Sequence, residues 1–364
     1  MSLPSSSTAR QFRQTLMDWY AQSHRPMPWK GIKNPYLIWL SEIILQQTRV
    51  EQGWAYFERF RENFPTVKHL AEAEEDVVMK LWEGLGYYSR ARNLHATAKY
   101  IAFDLKEEFP KTYESLLRLK GVGPYTAAAI GSFAYDLPVA VVDGNVYRVL
   151  SRYFGITTPI DSTLGKKEFA ALAQELLDKN QAGRYNQAII DFGATQCKPK
   201  RPNCPQCPMQ EGCVAYHDDQ VNSLPIKSKK IKRKTRYFNY LVINAANQVL
   251  LQKRNQKDIW QNLYEFPLIE SEQLLQRSAL KETKSWQEWS FLQSAGITRQ
   301  AGPFKQQLTH QTIIANFWEI QLSSSLKPEA FAFLAVPRKS LRKYAFPRII
   351  DLYLQDKSLY LELL

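Results

Sequence analysis

The chain has 364 residues, 45% of them apolar, and its 48 Lys and Arg against 35 Asp and Glu give a formal net charge of +13. This length and apolar content predict two or three domains with packed cores. The positive charge favours a polyanionic partner, although a basic surface can also be only solvated. The sequence has no run of about 18 apolar residues and no signal-peptide core, which excludes a spanning helix and predicts a soluble, intracellular protein.

The first predicted element is an amphipathic helix, because Phe12, Leu16 and Trp19 recur at helical spacing. The loop RPMPWK follows this helix and carries Arg25 and Trp29. The loop is either an ordinary capped connection or the aromatic and basic rim of a pocket for a base.

A second helix is predicted to begin at Asn34, a suitable N-cap, with Pro35 in its first turn. We expect it to run through YLIWLSEIILQQTRV to Val50. Glu42 falls in the most apolar part of this helix. Most helical glutamates are simply solvated, but a carboxyl in an apolar setting has a raised pKa and can donate a proton near neutral pH.

The segment GLGYYSRARNLH contains two glycines, two tyrosines and two arginines. Gly84 and Gly86 allow a close turn, while Tyr87 is suited either to stacking or to core packing. Arg90 and Arg92 are suited to phosphate contacts or to a solvated basic face.

Leu119 to Asn145 carries the most informative pattern of the chain. Gly121 and Gly123 lie between two apolar stretches of helical period, which predicts a helix-hairpin-helix whose second helix begins near Pro124. The N–H groups of that helix can then hold a phosphate without reading bases. A short apolar run follows the second helix and ends at Asp143, which places a carboxylate just beyond the predicted phosphate site. A plain turn between helices is the more ordinary explanation of the glycines alone.

The chain has four cysteines, with six, two and five residues between them: Cys197, Cys204, Cys207 and Cys213. Such a cluster in a reducing compartment indicates metal ligation rather than disulfides. A tetrahedral zinc site and an iron–sulfur cluster both use four cysteines. Spacing and context favour iron–sulfur.

Hairpin, aspartate and cysteines in this order resemble the endonuclease III superfamily of DNA glycosylases, over about residues 10 to 220. The resemblance implies a 4Fe-4S cluster on the four cysteines. SEIILQQTRVE and GLGYYSRARNLH resemble MutY-type adenine DNA glycosylases more closely. That likeness implies that Glu42 protonates the leaving adenine, that Leu45 and Gln47 wedge into the duplex or touch the opposite base, and that Tyr87 lies near the damaged guanine.

Two further inferences concern the reaction. Bifunctional members of the superfamily carry a lysine after the hairpin proline, because a Schiff base needs an amine. Here that residue is Tyr125, which predicts a monofunctional enzyme and a tyrosine that positions or stabilises the sugar. Asp143 would stabilise the oxocarbenium charge of the departing sugar, and Asn145 would orient Asp143 or a water. The adenine must be flipped out of the stack to reach these groups.

From about residue 155 to 190 the pattern is helical again and closes on YNQAIIDFGATQC. Gln187 and Asp191 are expected near the cluster and the pocket. Some members of the family carry a glutamate where Gln187 stands, and this residue is the candidate contact to adenine.

The basic run KSKKIKRKTR is predicted to be a linker along DNA within residues 217–236, with nuclear targeting as the alternative. After it, YFNYLVINAANQVLLQKR predicts two strands with a turn at 244–247, and residues 304–322 alternate again. This smaller α/β part resembles the Nudix-like C-terminal domain of MutY enzymes. It lacks the Nudix metal-binding box, so pyrophosphatase activity is not expected. Thr309 and His310 match the family loop that contacts 8-oxoguanine.

The sequence thus predicts a mostly α catalytic region of two helical domains, residues 1–216, which carries the hairpin and the iron–sulfur loop. A linker at 217–236 and a smaller α/β Nudix-like domain at 237–364 follow. We expect a monomeric DNA glycosylase of base excision repair in the bacterial cytoplasm, at the nucleoid. It would hydrolyse adenine mispaired with 8-oxoguanine or guanine. Two alternatives stay open: an endonuclease III-like enzyme acting on oxidised pyrimidines, and a binding protein for DNA damage.

Overall fold

A computed structural model describes residues 4–23, 25–228, 233–293, 295–322 and 333–356. The chain forms two compact units. Unit 1 comprises Met1–Glu72 and Asn93–Lys230, and unit 2 comprises Ala73–Arg92 and Ile231–Leu364. The centre of the basic run, residues 229–232, lies outside the described residues, and the domain boundaries given above stay a prediction. Within the described ranges, no helix is long and apolar enough to cross a membrane.

The part of the chain before residue 220 is helical. Its α-helices are α1 (Ser6–Gln22), α2 (Pro35–Leu45), α3 (Val50–Asn63), α4 (Val67–Glu72), α5 (Glu75–Trp82), α6 (Ser89–Lys99), α7 (Tyr113–Leu117), α8 (Pro124–Tyr135), α9 (Gly144–Phe154), α10 (Thr163–Leu176), α11 (Ala182–Thr195) and α12 (Val214–His217). A π-helix, Tyr100–Asp104, continues α6. α5 and the first turn of α6 belong to unit 2, and the other helices of this part belong to unit 1.

The core of unit 1 forms where α1 packs with α9, α10 and α11. Phe12 and Leu16 are fully buried there, and Trp19 packs edge-on against Phe192 with 4.9 Å between ring centroids. The amphipathic first helix predicted from these residues is therefore confirmed. This core fixes the starting points of α9 and α11, the two helices that supply acidic and amide groups to the site.

α2 begins as the sequence predicts and ends earlier. The Asn34 side chain accepts from the N–H groups of Tyr36 and Leu37, so Asn34 is the N-cap and Pro35 occupies the first turn. The predicted continuation to Val50 is wrong, because the helix stops at Leu45. Gln47 has a φ of 55°, and a residue in the left-handed region cannot continue a right-handed helix.

Unit 2 is built on a seven-stranded sheet within the described residues. Its strands are β1 (Lys234–Ala245), β2 (Gln248–Lys253), β3 (Tyr264–Glu265), β4 (Leu268–Ser271), β5 (Gly296–Gln307), β6 (Gln311–Leu322) and β7 (Leu334–Pro337). The main strand order is β3-β2-β1-β6-β5, with β4 on β1 and β7 on β2. β1 and β6 run parallel, and all the other pairs are antiparallel.

The predicted turn at 244–247 is confirmed, since β1 and β2 are joined through Ala246 and Asn247. The alternating segment 304–322 is not one strand: it is divided by a turn at 308–310, closed by the Leu308 N–H donating to the Gln311 carbonyl at 2.8 Å. β1 also begins inside the basic run, at Lys234.

The sheet of unit 2 carries a core of its own, in which Leu241, Ile243 and Trp318 are buried against the loop and helix segments around Trp286. The helices of this part are α13 (Arg277–Lys281), α14 (Lys284–Glu288) and α15 (Arg348–Leu354). A helical first part followed by a smaller α/β part is the fold class predicted from the sequence, and it is confirmed.

Candidate active site

The hairpin between α7 and α8 has the geometry that its glycines predict. Gly121 has a φ of 80°, and a Cβ there would lie 2.8 Å from the Cβ of Asn93, so the position requires glycine. Gly123 is the N-cap of α8, makes no side-chain cap, and a Cβ there would meet nothing within 4 Å. The N-terminus of α8 therefore opens outward without a side chain over it, as an anion site requires.

Asp143 is the N-cap of α9, and its carboxylate is held at both oxygens. Oδ1 accepts from the backbone N–H groups of Asn145 and Val146, each at 2.8 Å, and Oδ2 accepts from the Asn145 side-chain amide at 2.8 Å. Burial raises the pKa of Asp143, while these hydrogen bonds and the nearby Arg148 oppose the rise. These hydrogen bonds fix the orientation of the carboxylate, and they stabilise its charged form.

Arg148 hydrogen-bonds Asn145, and Asn145 in turn hydrogen-bonds Asp143. Its Nη2 donates to Asn145 Oδ1 at 2.8 Å, which leaves the amide nitrogen of Asn145 facing Asp143. Its Nε donates to the Cys197 carbonyl at 2.7 Å and its Nη2 also to the Gly193 carbonyl at 2.6 Å. Sequence reasoning missed Arg148. Its position three residues after Asn145 on the same helix face was the available signal.

Glu42 is buried in α2, with 8% of its surface exposed. Burial raises the pKa of Glu42 to about 7; the Tyr125 hydroxyl donates a hydrogen bond that opposes the rise, and the charge of Asp143 adds to it. Burial also raises the pKa of Tyr125 well above its usual range, so this phenol stays protonated. The Glu42 carboxyl can therefore hold a proton near neutral pH.

One cavity of about 470 Å³ brings together nine of the site residues expected from the sequence. This volume lies within the rough range of 300–1,000 Å³ of small-molecule sites. The expected residues that line it are Arg25, Trp29, Glu42, Leu45, Gln47, Tyr125, Asp143, Asn145 and Gln187. A second cavity shares Trp29, Glu42 and Gln187 with the first, so Glu42 borders both. Gly121 and Gly123 do not line the cavity.

Asp191 fixes the loop that carries Trp29. Its side chain is 2% exposed; Oδ1 pairs with Arg25 Nη1 at 2.9 Å, and Oδ2 pairs with Lys30 Nζ. Gln187 Nε2 also donates to Asp191 Oδ1, at 3.3 Å. Since a carboxylate repels an amide oxygen, this contact turns Gln187 Oε1 away from Asp191.

All four cysteines line one small cavity together with Arg152, and none of them forms a disulfide. Arg152 Nη1 donates to Cys197 Sγ at 3.4 Å and to the Lys198 carbonyl at 2.8 Å, which fixes the start of the cysteine loop. Within the described ranges, no three His, Cys, Asp or Glu side chains form a group that holds a single metal ion. Four thiols around one cavity fit the donor set of a four-cysteine cluster.

Unit 2 brings together the recognition residues expected from the sequence. Tyr87 is 44% exposed, and its hydroxyl lies 2.5 Å from Thr309 Oγ1. Both residues line a cavity of about 460 Å³, which His310 lines as well. Thr309 and His310 lie in the turn between β5 and β6 and not inside a strand, so their side chains do not pack within the sheet.

Comparisons with known proteins identify the families that the two parts of the chain resemble. A profile of the "HhH-GPD superfamily base excision DNA repair protein" family matches residues 40–178, and a NUDIX domain profile matches residues 239–356. The adenine DNA glycosylase of Buchnera aphidicola subsp. Schizaphis graminum is 38% identical, over 70% of this chain and 74% of that protein. The chain belongs to the adenine DNA glycosylase family.

A second relative, the adenine DNA glycosylase of Buchnera aphidicola subsp. Baizongia pistaciae, is 34% identical over 84% of both chains. Among solved structures, a thermostable thymine-DNA glycosylase matches with a TM-score of 0.55 and 27% identity, covering 58% of this chain and 98% of that one. The resemblance to MutY-type enzymes and the Nudix-like C-terminal part are therefore confirmed. The chain is an enzyme of the DNA glycosylase class, which hydrolyses N-glycosyl bonds.

Proposed function

We propose that the chain is a monofunctional adenine DNA glycosylase that removes adenine mispaired with 8-oxoguanine, or with guanine. The observation that carries the proposal is the cavity in which Glu42 and Asp143 meet with Tyr125. Its two carboxyls differ in environment, and this separates a proton donor from an anion. The names of the relatives support adenine as the excised base.

In the proposed reaction Glu42 gives its proton to a ring nitrogen of adenine, which turns the base into a good leaving group. Asp143, whose charged form accepts hydrogen bonds from Asn145 and the first turn of α9, stabilises the positive charge that develops on the sugar as the bond to adenine breaks. A water molecule then adds to the sugar carbon and loses a proton, which completes the hydrolysis. Tyr125 hydrogen-bonds Glu42 and contacts the sugar. A phenol cannot form the Schiff base that a lyase needs, so the DNA strand stays intact.

Adenine recognition is assigned to the walls of the same cavity. Trp29 supplies an aromatic face, and Arg25 lies at the rim, while Leu45 and Gln47 contact the duplex. Gln187 presents Oε1 to the cavity because its Nε2 is engaged by Asp191. That oxygen can accept from the exocyclic amine of adenine. A hypoxanthine base, which carries an oxo group there, should leave more slowly.

DNA binding is assigned to both units. The hairpin at Gly121 and Gly123 holds backbone phosphates through the N-terminus of α8. Tyr87, Thr309 and His310 read the base opposite adenine from the cavity of about 460 Å³ that they line. In this proposal residues 1–216 carry catalysis and contribute Tyr87 to recognition, residues 237–364 carry the rest of recognition, and the linker at 217–236 joins the two parts. The enzyme acts as a monomer on nucleoid DNA in the bacterial cytoplasm.

We assign a 4Fe-4S cluster to the four cysteines, Cys197, Cys204, Cys207 and Cys213. When bound, the cluster supplies a structural crosslink for the cysteine loop. The donor set and the shared cavity support this assignment. Arg148 and Arg152 hold the backbone of the loop from the side of α9. Iron and sulfide analysis of the purified protein, with an absorption spectrum, tests the assignment against zinc.

A single-turnover assay tests the proposed function. The substrate is a duplex with one adenine opposite 8-oxoguanine, analysed with and without alkali, which cleaves strands at abasic sites. We expect strand breaks only after alkali. Breaks without alkali would indicate a lyase of the endonuclease III type, and a borohydride trap would then capture its Schiff base. Binding of the duplex without strand breaks, even after alkali, would favour the alternative that this protein binds damaged DNA without catalysis.

A further inference from the structure

The cavity that contains Tyr87 and Thr309 has a second wall, which was not predicted from the sequence. This wall consists of Asp258, Ile259 and Trp260, in the loop between β2 and β3. Trp260 has a φ of 59° and is 7% exposed. A bulky residue in the left-handed region is rare and costs energy, so the surrounding contacts must impose this conformation.

Three arginines impose it. Arg254 donates to the Ile259 carbonyl at 3.1 Å and to Asp258 Oδ2 at 2.9 Å. Arg92 donates to the Gln261 carbonyl at 2.8 Å. Arg236 binds both oxygens of Asp258, with Nη1 to Oδ1 at 3.0 Å and Nη2 to Oδ2 at 2.8 Å. The loop wall is thus held from several directions.

Arg236 also reaches the opposite wall. Its Nη1 donates to Gln311 Oε1 at 3.2 Å, and Gln311 closes the turn that carries Thr309 and His310. The remaining edge of the guanidinium binds Glu270, with 2.7 Å from Nε to Oε1 and from Nη2 to Oε2. Its side chain is 13% exposed and lies 5.0 Å from the centroid of the Phe238 ring. A single rigid, planar group therefore connects the two walls.

We infer that Arg236 is a positioning residue that sets the spacing between the loop wall and the Thr309 turn, and thereby the preference for the base opposite adenine. This inference rests on the proposed function, because it assigns that base to this cavity. Arg236 is the last residue of the basic run that the sequence assigned to a linker on DNA. Its neighbours place it in an ion network instead.

The test compares single-turnover excision of adenine opposite 8-oxoguanine with excision opposite guanine. The variants are Arg236→Lys, which keeps the charge but loses the planar fork, and Gln311→Met, which keeps the size of the side chain but loses the acceptor. Glu270→Gln is the matched control, because it removes the charge and one acceptor from a partner of Arg236 that does not line the cavity. Thermal unfolding of each variant is measured in parallel.

We expect the ratio of the two rates to fall by roughly fivefold or more in Arg236→Lys and Gln311→Met, as a lost hydrogen bond to a charged group allows. The ratio should stay within about twofold of the unsubstituted protein in Glu270→Gln. Rates that fall equally on both duplexes, together with a lower unfolding temperature, would reduce the network to a structural role and overturn the inference.

The unsubstituted protein separates this inference from the proposed function. If it excises adenine faster opposite 8-oxoguanine and the variants keep that preference, the inference alone is overturned. If it excises adenine at equal rates from both duplexes, the assignment of recognition to this cavity fails, and the inference fails with it. If it excises no adenine, the proposed function is overturned first.

Discussion

The side chain of Asn145 lies between a carboxylate and a guanidinium. Its amide nitrogen donates to Asp143 Oδ2 at 2.8 Å, and its amide oxygen accepts from Arg148 Nη2 at 2.8 Å. Since Arg148 also donates to the Cys197 carbonyl, Asp143 is connected to the cysteine loop through two side chains. The direction of the Asp143 carboxylate therefore depends in part on Arg148, which does not line the cavity.

The first prediction concerns the charge of Asp143. Asp143→Asn should abolish turnover while leaving duplex binding nearly intact, because a neutral group of the same shape removes the anion and keeps the phosphate contacts. Single-turnover excision and a binding titration at the same salt concentration measure the two quantities. An active Asp143→Asn variant would refute the assigned role.

The second prediction concerns Arg148. Arg148→Gln should lower the single-turnover rate by roughly ten- to a hundredfold, the usual effect of losing a supporting hydrogen bond near a reacting group, with little change in duplex affinity. The pH above which the excision rate declines should be the same as in the unsubstituted protein, because Arg148 does not contact Glu42. Arg13→Gln is the control for the loss of a partly buried arginine contact, because Arg13 does not line the cavity. An equal loss in both variants would indicate a general effect on folding.

The third prediction concerns the stability cost of a buried acid. The folded protein keeps the Glu42 proton up to a pKa of about 7, whereas the unfolded chain releases it near 4.5. Below about pH 4.5 Glu42 is protonated in both states and causes no loss of stability. As pH rises from there through about 7, the unfolded chain releases the proton first, so the free energy of unfolding falls. Glu42→Gln should raise the free energy of unfolding at pH 8 by at most about 3 kcal/mol, and by much less at pH 4. Denaturant titrations at the two pH values measure the difference, and an equal effect at both would contradict it.

The fourth prediction separates the two hairpin glycines. Gly121→Ala should destabilise the fold by about 1 kcal/mol or more, because of its φ of 80° and the Cβ of Asn93 at 2.8 Å. Gly123→Ala should leave stability nearly unchanged, because space around it is open, but should weaken binding of any duplex. Thermal unfolding and binding to an undamaged duplex distinguish them. If Gly123→Ala binds normally, the hairpin does not hold the backbone as assigned.

Local signals predicted the parts of the fold that depend on a few neighbouring residues. The Asn34 cap, the hairpin at Gly121 and the turn after Ala245 each follow from residue types within one turn of chain. The end of α2 was missed, because the left-handed conformation of Gln47 has no signature in the residue type.

The parts of the site that depend on distant pairing were not predictable in detail. Tyr87 and Thr309 are 222 residues apart in the sequence, and only the resemblance suggested that they share a role. In the sequence Arg236 is only one more charge in a basic run. Its three partners, Asp258, Gln311 and Glu270, lie in other segments of the chain, so its role could not be predicted. Burial of Glu42 was predictable because the apolar residues around it are adjacent in the chain.

The most direct test of the proposed mechanism is the pH dependence of single-turnover adenine excision. In the proposed mechanism the protonated form of Glu42 is the active one, so the rate should be highest below about pH 7 and fall about tenfold per unit at higher pH. Glu42→Gln should lose this decline together with most of the activity. A rate that stays constant or increases from pH 7 to about pH 9 in the unsubstituted protein would contradict the role of Glu42 as the proton donor.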